Sequence, residues 1–196
     1  MFGKNKYGKF WEWFEKNSEL IFNFENDSEN IFNLLSKELK RINKNLTFEF
    51  GPTNNNKREF TISADGIRDS FCAVEELYSV KPELEKWTIL KYRQRKSIPE
   101  VRMNGIILSM EDMYFRLFND NSKVGIIIFI KDYDAEKHGM MGFLLLDTAL
   151  GEYDVETKVG HIEFLDFNSE YFVDALPFKK LSEYFDTAYE KICEEN

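Results

Sequence analysis

Two stretches of this sequence run through the same order of patterns, and that order limits the fold more than any other feature. Leu46–Phe50 alternates apolar and polar residues, Gly51–Lys57 is a cluster of turn formers, and Arg58–Ser63 alternates again. A helical pattern opens at Asp65-Gly66, carries Ile67, Phe71, Val74 and Leu77, and ends before Pro82; Trp87–Arg93 reads as a strand. The order then returns. Met113–Phe118 is a strand, Asn119–Lys123 a turn, and Val124–Ile130 a strand apolar on both faces, the mark of a central strand. A helix starts at Asp132 or Asp134, runs to about Leu150 and stops at Gly151, and Val159–Leu165 closes the unit. Both units read ββαβ. Leu46 to Arg58 and Met113 to Gly125 are each 12 residues apart. The halves share negligible sequence identity, so a structural duplication is an expectation from pattern alone.

Helical patterns flank these units. Residues 8–22 carry apolar side chains three and four apart, and Asn26-Asp27-Ser28 supplies a start for a second helix with Ile31, Leu35 and Leu39 on one stripe. Between the units, Asn104-Gly105 is a hairpin signal within Val101–Leu108. A last helix spans about Pro177 to Glu194. The predicted fold class is α+β: one mostly antiparallel sheet of about six strands, built from two ββαβ units. Helices are expected on one face, with a helical N-terminal hairpin and a C-terminal helix. The whole of 1–196 is read as one domain, divided into the hairpin (1–45), the first unit (46–98), a link (99–111), the second unit (112–166) and the C-terminal helix (167–196).

Composition excludes several classes. Apolar residues make up 43% and charged residues 31%, which is neither a disordered nor a membrane composition. Cys72 and Cys193 are too few and too far apart for a disulfide framework, and Cys72 is read as a small buried hydrophobe. The basic Met1–Lys9 stretch is followed by a charge-broken Phe10–Lys16, so no signal peptide and no membrane span are expected, and the default location is the cytoplasm. The net charge of −9 is local. Residues 1–146 hold 22 basic and 22 acidic residues, whereas 147–196 hold 4 and 13.

Phe10–Phe14, Leu46–Pro52, Arg58–Gly66, Phe143–Asp147 and Leu150–Glu156 are similar to the marks of an uncharacterised bacterial protein family about as long as this chain. The resemblance covers most of residues 8–165. It implies a bacterial cytoplasmic protein and carries over no activity, cofactor or site residue.

Six constellations bear on function. Glu152, Asp154 and Glu156 alternate, with Asp147 before them. If extended, they would present three carboxylates to a cation. The competing reading is a solvated loop. Lys91–Lys96 alternates basic residues around Tyr92, a pattern that suits nucleic acid, a charged edge strand, or pairing with the acidic surface of the same chain. Arg58, Glu59, Asp65 and Arg68 surround the turn before the first crossover helix, where Asp65 is read as the cap. His161 is read as facing away from Glu163, and His138 as exposed. Tyr7, Phe10, Trp11, Trp13 and Phe14 place five aromatics in eight residues, more than one helix face buries. Met110, Met113, Met140 and Met141 are read as core filler.

Taken together, these features lead to the expectation of a non-catalytic protein-binding or regulatory, immunity-like module with an acidic C-terminal surface for a basic protein partner. Trp11, Trp13, Glu183, Asp186 and Glu190 are its candidate partner-binding residues. No catalytic residue, cofactor or metal ligand is assigned, and nucleic acid is not the expected partner. The alternatives are a metal-dependent enzyme using Asp147, Asp154 and Glu156 between the halves, and a weak RNA or DNA binder through 91–96.

Overall fold

The computed structural model describes residues 6–195. Met1–Asn5, which open the basic start of the chain, lie outside the described residues. The chain divides into two compact units, 1–93 and 94–196.

In the first unit the aromatic N-terminal segment forms α1 (Lys6–Lys16) and α2 (Ser18–Phe22). The break between them is at Asn17, whose side-chain amide donates to the Trp13 carbonyl at 2.7 Å and so competes with the helix ladder. Helix α3 (Ser28–Lys40) follows Asp27 as expected. Strands β1 (Thr47–Asn54) and β2 (Lys57–Ser63) form an antiparallel hairpin. The turn is tighter than the sequence pattern implies. Gly51 and Pro52 sit in β1 at a bulge between Phe50 and Thr53, and Asn55 and Asn56, at φ 50° and 62°, make the two-residue turn. Helix α4 (Phe71–Ser79) then crosses over to β3 (Trp87–Lys91), which pairs parallel with β2.

The second unit opens with the hairpin of β4 (Glu100–Met103) and β5 (Ile106–Ser109), turned at Asn104 and Gly105 with φ 51° and 80°. Strands β6 (Met113–Asp120) and β7 (Lys123–Ile130) form the second large hairpin. Helix α5 (Ala135–Leu150) starts at Asp134, whose carboxylate accepts from the amides of Glu136 and Lys137. Gly151, at φ 79°, ends it. A short helix α6 (Glu152–Lys158) leads into β8 (Val159–Asp166), parallel to β7. The chain returns through β9 (Leu176–Pro177), antiparallel to β6, and ends in α7 (Leu181–Glu195).

Both ββαβ orders are present, and the first strand of each is eight residues long. Met113 follows Thr47, and Lys123 follows Lys57, by the same 66 residues. The single six-stranded sheet is not. Among the described residues the strands form three separate sheets, ordered β1-β2-β3, β4-β5 and β8-β7-β6-β9. Each unit closes over its own core. In the first, Phe14, Leu35, Phe60, Ile62 and Leu77 are buried together. In the second, Ile126, Ile128, Leu145, Leu181 and Phe185 are. With helices enough to cover each sheet, neither needs the other's strands to bury its apolar face. In β7, Val124, Ile126, Ile128 and Ile130 belong to the helix-covered core, while Phe129 is covered from the other face by Phe172, ring centroids 5.3 Å apart. None of the described helices is long and apolar enough to cross a membrane.

Candidate binding groove of the C-terminal unit

The acidic stretch acquires its structure from one cation. Arg95 Nε donates to the Leu150 carbonyl at 2.9 Å. Its two terminal nitrogens reach Asp186 at 2.7 and 2.8 Å, and one of them also reaches Asp154 at 2.5 Å. One guanidinium therefore joins the end of α5, the body of α6 and the middle of α7. Lys158 adds a second cation on Asp154, at 2.7 Å. The Arg95 bond holds the Asp186 carboxyl below the usual 3.8, and the bonds of Lys137 to Asp134 and of the Asn168 and Tyr133 amides to Asp166 do the same for those groups. Groups shifted this way stabilise the fold at pH above the usual carboxylate value. That contribution is lost as pH falls through the depressed values. Urea midpoints are therefore expected to drop steeply below about pH 4, and less steeply in Arg95→Ala.

This arrangement overturns the carboxylate cluster read from the alternation at 152–156. The segment is helical, and at 100° per residue Glu152 and Glu156, four apart, share one face while Asp154 points away from it, so the three do not converge. Glu152 is fully buried rather than solvated. Among the described residues no group of three His, Cys, Asp or Glu side chains is placed to hold a metal ion. The basic strip is likewise engaged inside its own units. Lys91 pairs with Glu75 at 2.6 Å and Arg93 with Asp65 at 2.6 Å, while Arg95 is held as described. Pairing with acids of the same chain is the reading that geometry favours.

Other candidates are redistributed. Asp65 caps nothing: α4 begins only at Phe71, after a 3₁₀ turn at Arg68–Ser70, and the Asp65 carboxylate receives Arg93 instead. Arg58 lies over the rings of Phe22 and Phe24, 5.3 and 4.7 Å from their centroids, and pairs with Glu25 at 2.7 Å. Its Nε is buried without a hydrogen-bond partner. His161 and Glu163 share a face, since a strand alternates with period two, and their side chains approach to 3.8 Å. His138 is half-buried, and its Nδ1 accepts from the Asp134 amide at 3.0 Å. Cys72 is exposed rather than buried. Met113 and Met141 are core, but Met140 is 66% exposed.

The N-terminal aromatics mostly face inward. Phe10, Trp11 and Phe14 are buried, and Trp11 Nε1 donates to the Leu77 carbonyl at 2.8 Å. Trp13 is half-buried against the same core. Five aromatics fit because the sheet supplies rings of its own: Phe14 lies 4.9 Å from Phe60 and 5.0 Å from Trp87. Of the candidate partner-binding residues, Trp11 belongs to the core and Asp186 to the Arg95 clamp. Glu183 and Glu190 are exposed on α7.

Glu183 lines a groove of about 580 Å³ along the edge of β6. Phe115, Arg116 and Leu117 of β6 line it, and α7 forms one wall with Glu183, Tyr184, Ala188 and Lys191. Asp174 closes the end next to β9. The wall residues recur three and four apart, Thr187 included, so one stripe of α7 serves the groove, while Leu181, Phe185 and Ile192 on another stripe fill the core. Phe115 and Tyr184 touch edge to face at 6.2 Å. The acidic helix was legible in the sequence. The groove was not, because it depends on where β9 stops, and two residues of strand leave no periodic signal. No protein-family model, curated protein or solved structure matches the chain.

Proposed function

We propose that this chain is a non-catalytic protein-binding module whose docking site is the β6–α7 groove of the C-terminal unit. The observation that carries the reading is the placement of Glu183. A member of the expected acidic docking set, it lines a concave, partly apolar site. The lining sets the carboxylates of Asp174 and Glu183 beside the cations of Arg116 and Lys191, which suits a partner segment with charges of both signs, and Tyr184 supplies a ring of the kind that anchors interfaces.

Random peptides of about a dozen residues, displayed on phage and selected on the full chain, test this. Enriched peptides are expected to carry apolar residues with charged residues of both signs between them. Ala188→Trp, which fills the groove from α7, should weaken their binding about tenfold or more, equivalent to about 1.4 kcal/mol. Glu183→Lys should weaken it as well, and Glu190→Lys should not. Absence of enrichment, or peptides indifferent to Ala188→Trp, would overturn the proposal.

A further inference from the structure

We infer that the groove takes its partner as an extended strand that adds to the exposed edge of β6 at Leu117–Asn119, beyond the point where β9 stops. The inference rests on the groove being a polypeptide site and states how that site works.

The hairpin ladder sets which backbone groups are available. Asp120 and Lys123 flank a two-residue turn and so form the hydrogen-bonded pair that closes the hairpin. Alternation then directs the amides and carbonyls of Phe118, Arg116 and Tyr114 toward β7. Those of Asn119, Leu117 and Phe115 face the other side. The β9 register agrees: Phe115 opposes Leu176, and Pro177, which has no N–H to donate, opposes Tyr114, whose own groups face β7. Past Leu176 the chain's own segment turns away. Asp174 has φ 61°, and Ala175 bonds back to the Phe172 carbonyl. Among the described residues no strand pairs with this edge beyond Phe115. Leu117 and Asn119 therefore offer two N–H and two C=O groups along an edge, as in strand-addition sites.

The helix extends the case from backbone to side chains. Tyr184 and Ala188 border the space beside Leu117. An added strand would have every second side chain turned toward them. The others would face solvent. Glu183 and Lys191 are eight residues apart on α7, about 12 Å along the axis. Asp174 and Glu183 share the groove lining with Arg116 and Lys191, two carboxylates beside two cations. The occupant is thus an extended partner segment of four to six residues, with small or apolar residues at alternate positions turned toward α7 and charges of both signs among the others.

A second copy of β6 fits less well. In antiparallel self-pairing about Phe118, Arg116 would oppose Asp120. But Asp120 accepts from the His161 amide at 2.8 Å, and the Phe118 ring lies over Gly125, both directed across the sheet away from the edge.

The test is an N-methyl scan of a phage-selected peptide, read by its affinity for the full chain. Strand addition predicts losses of about tenfold or more at alternate residues and little change at those between, since only every second amide faces β6. A peptide that is blocked by Ala188→Trp yet shows no period-two pattern would overturn strand addition and leave the groove as a binding site. Absence of any enriched peptide would overturn both. A dimer in sedimentation that the peptide dissociates would assign the edge to a second copy and overturn the partner segment.

Discussion

Arg95→Ala is expected to lower the unfolding free energy of the C-terminal unit by about 3 kcal/mol. The loss comes from what the guanidinium leaves behind. Without it the Leu150 carbonyl at the end of α5, Asp154 on α6 and Asp186 on α7 lose a shared donor at once. The site is partly open, with 32% of the Arg95 side chain accessible, so water satisfies some of these groups and holds the cost below that of a fully buried pair. Arg95→Lys keeps the charge and loses the fork, and should recover less than half of the difference. Urea unfolding followed by near-ultraviolet circular dichroism measures both. Combined with Asp186→Asn, the double variant should lose less than the sum of the single losses, because the two residues share bonds. A change under about 0.5 kcal/mol for Arg95→Ala would show that the three helices hold together without this clamp.

Phe14→Ala is expected to cost about 4 kcal/mol in the N-terminal unit. Phe14 is wholly buried, and its ring meets those of Phe10, Trp11, Phe60 and Trp87 at centroid distances between 4.9 and 6.0 Å. The substitution opens a cavity between helix and sheet that rigid aromatic neighbours close poorly. Trp13→Ala, at a half-buried position, should cost roughly 1 to 2 kcal/mol. That ordering separates a core role from a docking role for the aromatic segment. A Phe14→Ala chain as stable as the parent would return this segment to the list of candidate partner surfaces.

Local pattern made much of the fold legible. Both ββαβ orders follow from period-two strands, turn residues and helical stripes, and Asn104-Gly105 makes the hairpin that this pair favours. Asp134 caps α5 and Gly151 ends it, as their side chains and backbone freedom dictate. The losses came where tertiary contacts outweigh local pattern. Gly51 and Pro52 look like a turn, yet a bulge carries them within β1. Residues 152–158 are polar enough to suggest a loop, yet the Arg95 clamp holds Asp154 in a helix. Separate sheets could not be told from one sheet, because strand period says nothing about which edges meet. The site was half legible. Its acidic helix shows in the charge count, and Glu183 was among the candidates, but the vacant edge of β6 is set by the left-handed turn at Asp174, remote in sequence.

Amide hydrogen exchange of the C-terminal unit, with and without a groove-binding peptide, tests the strand-accepting edge most directly. Leu117 and Asn119 are predicted to exchange quickly in the free chain and to slow markedly on binding. Phe118 and Arg116, already bonded to β7, should change little. Protection confined to α7, with Leu117 and Asn119 unchanged, would contradict the account.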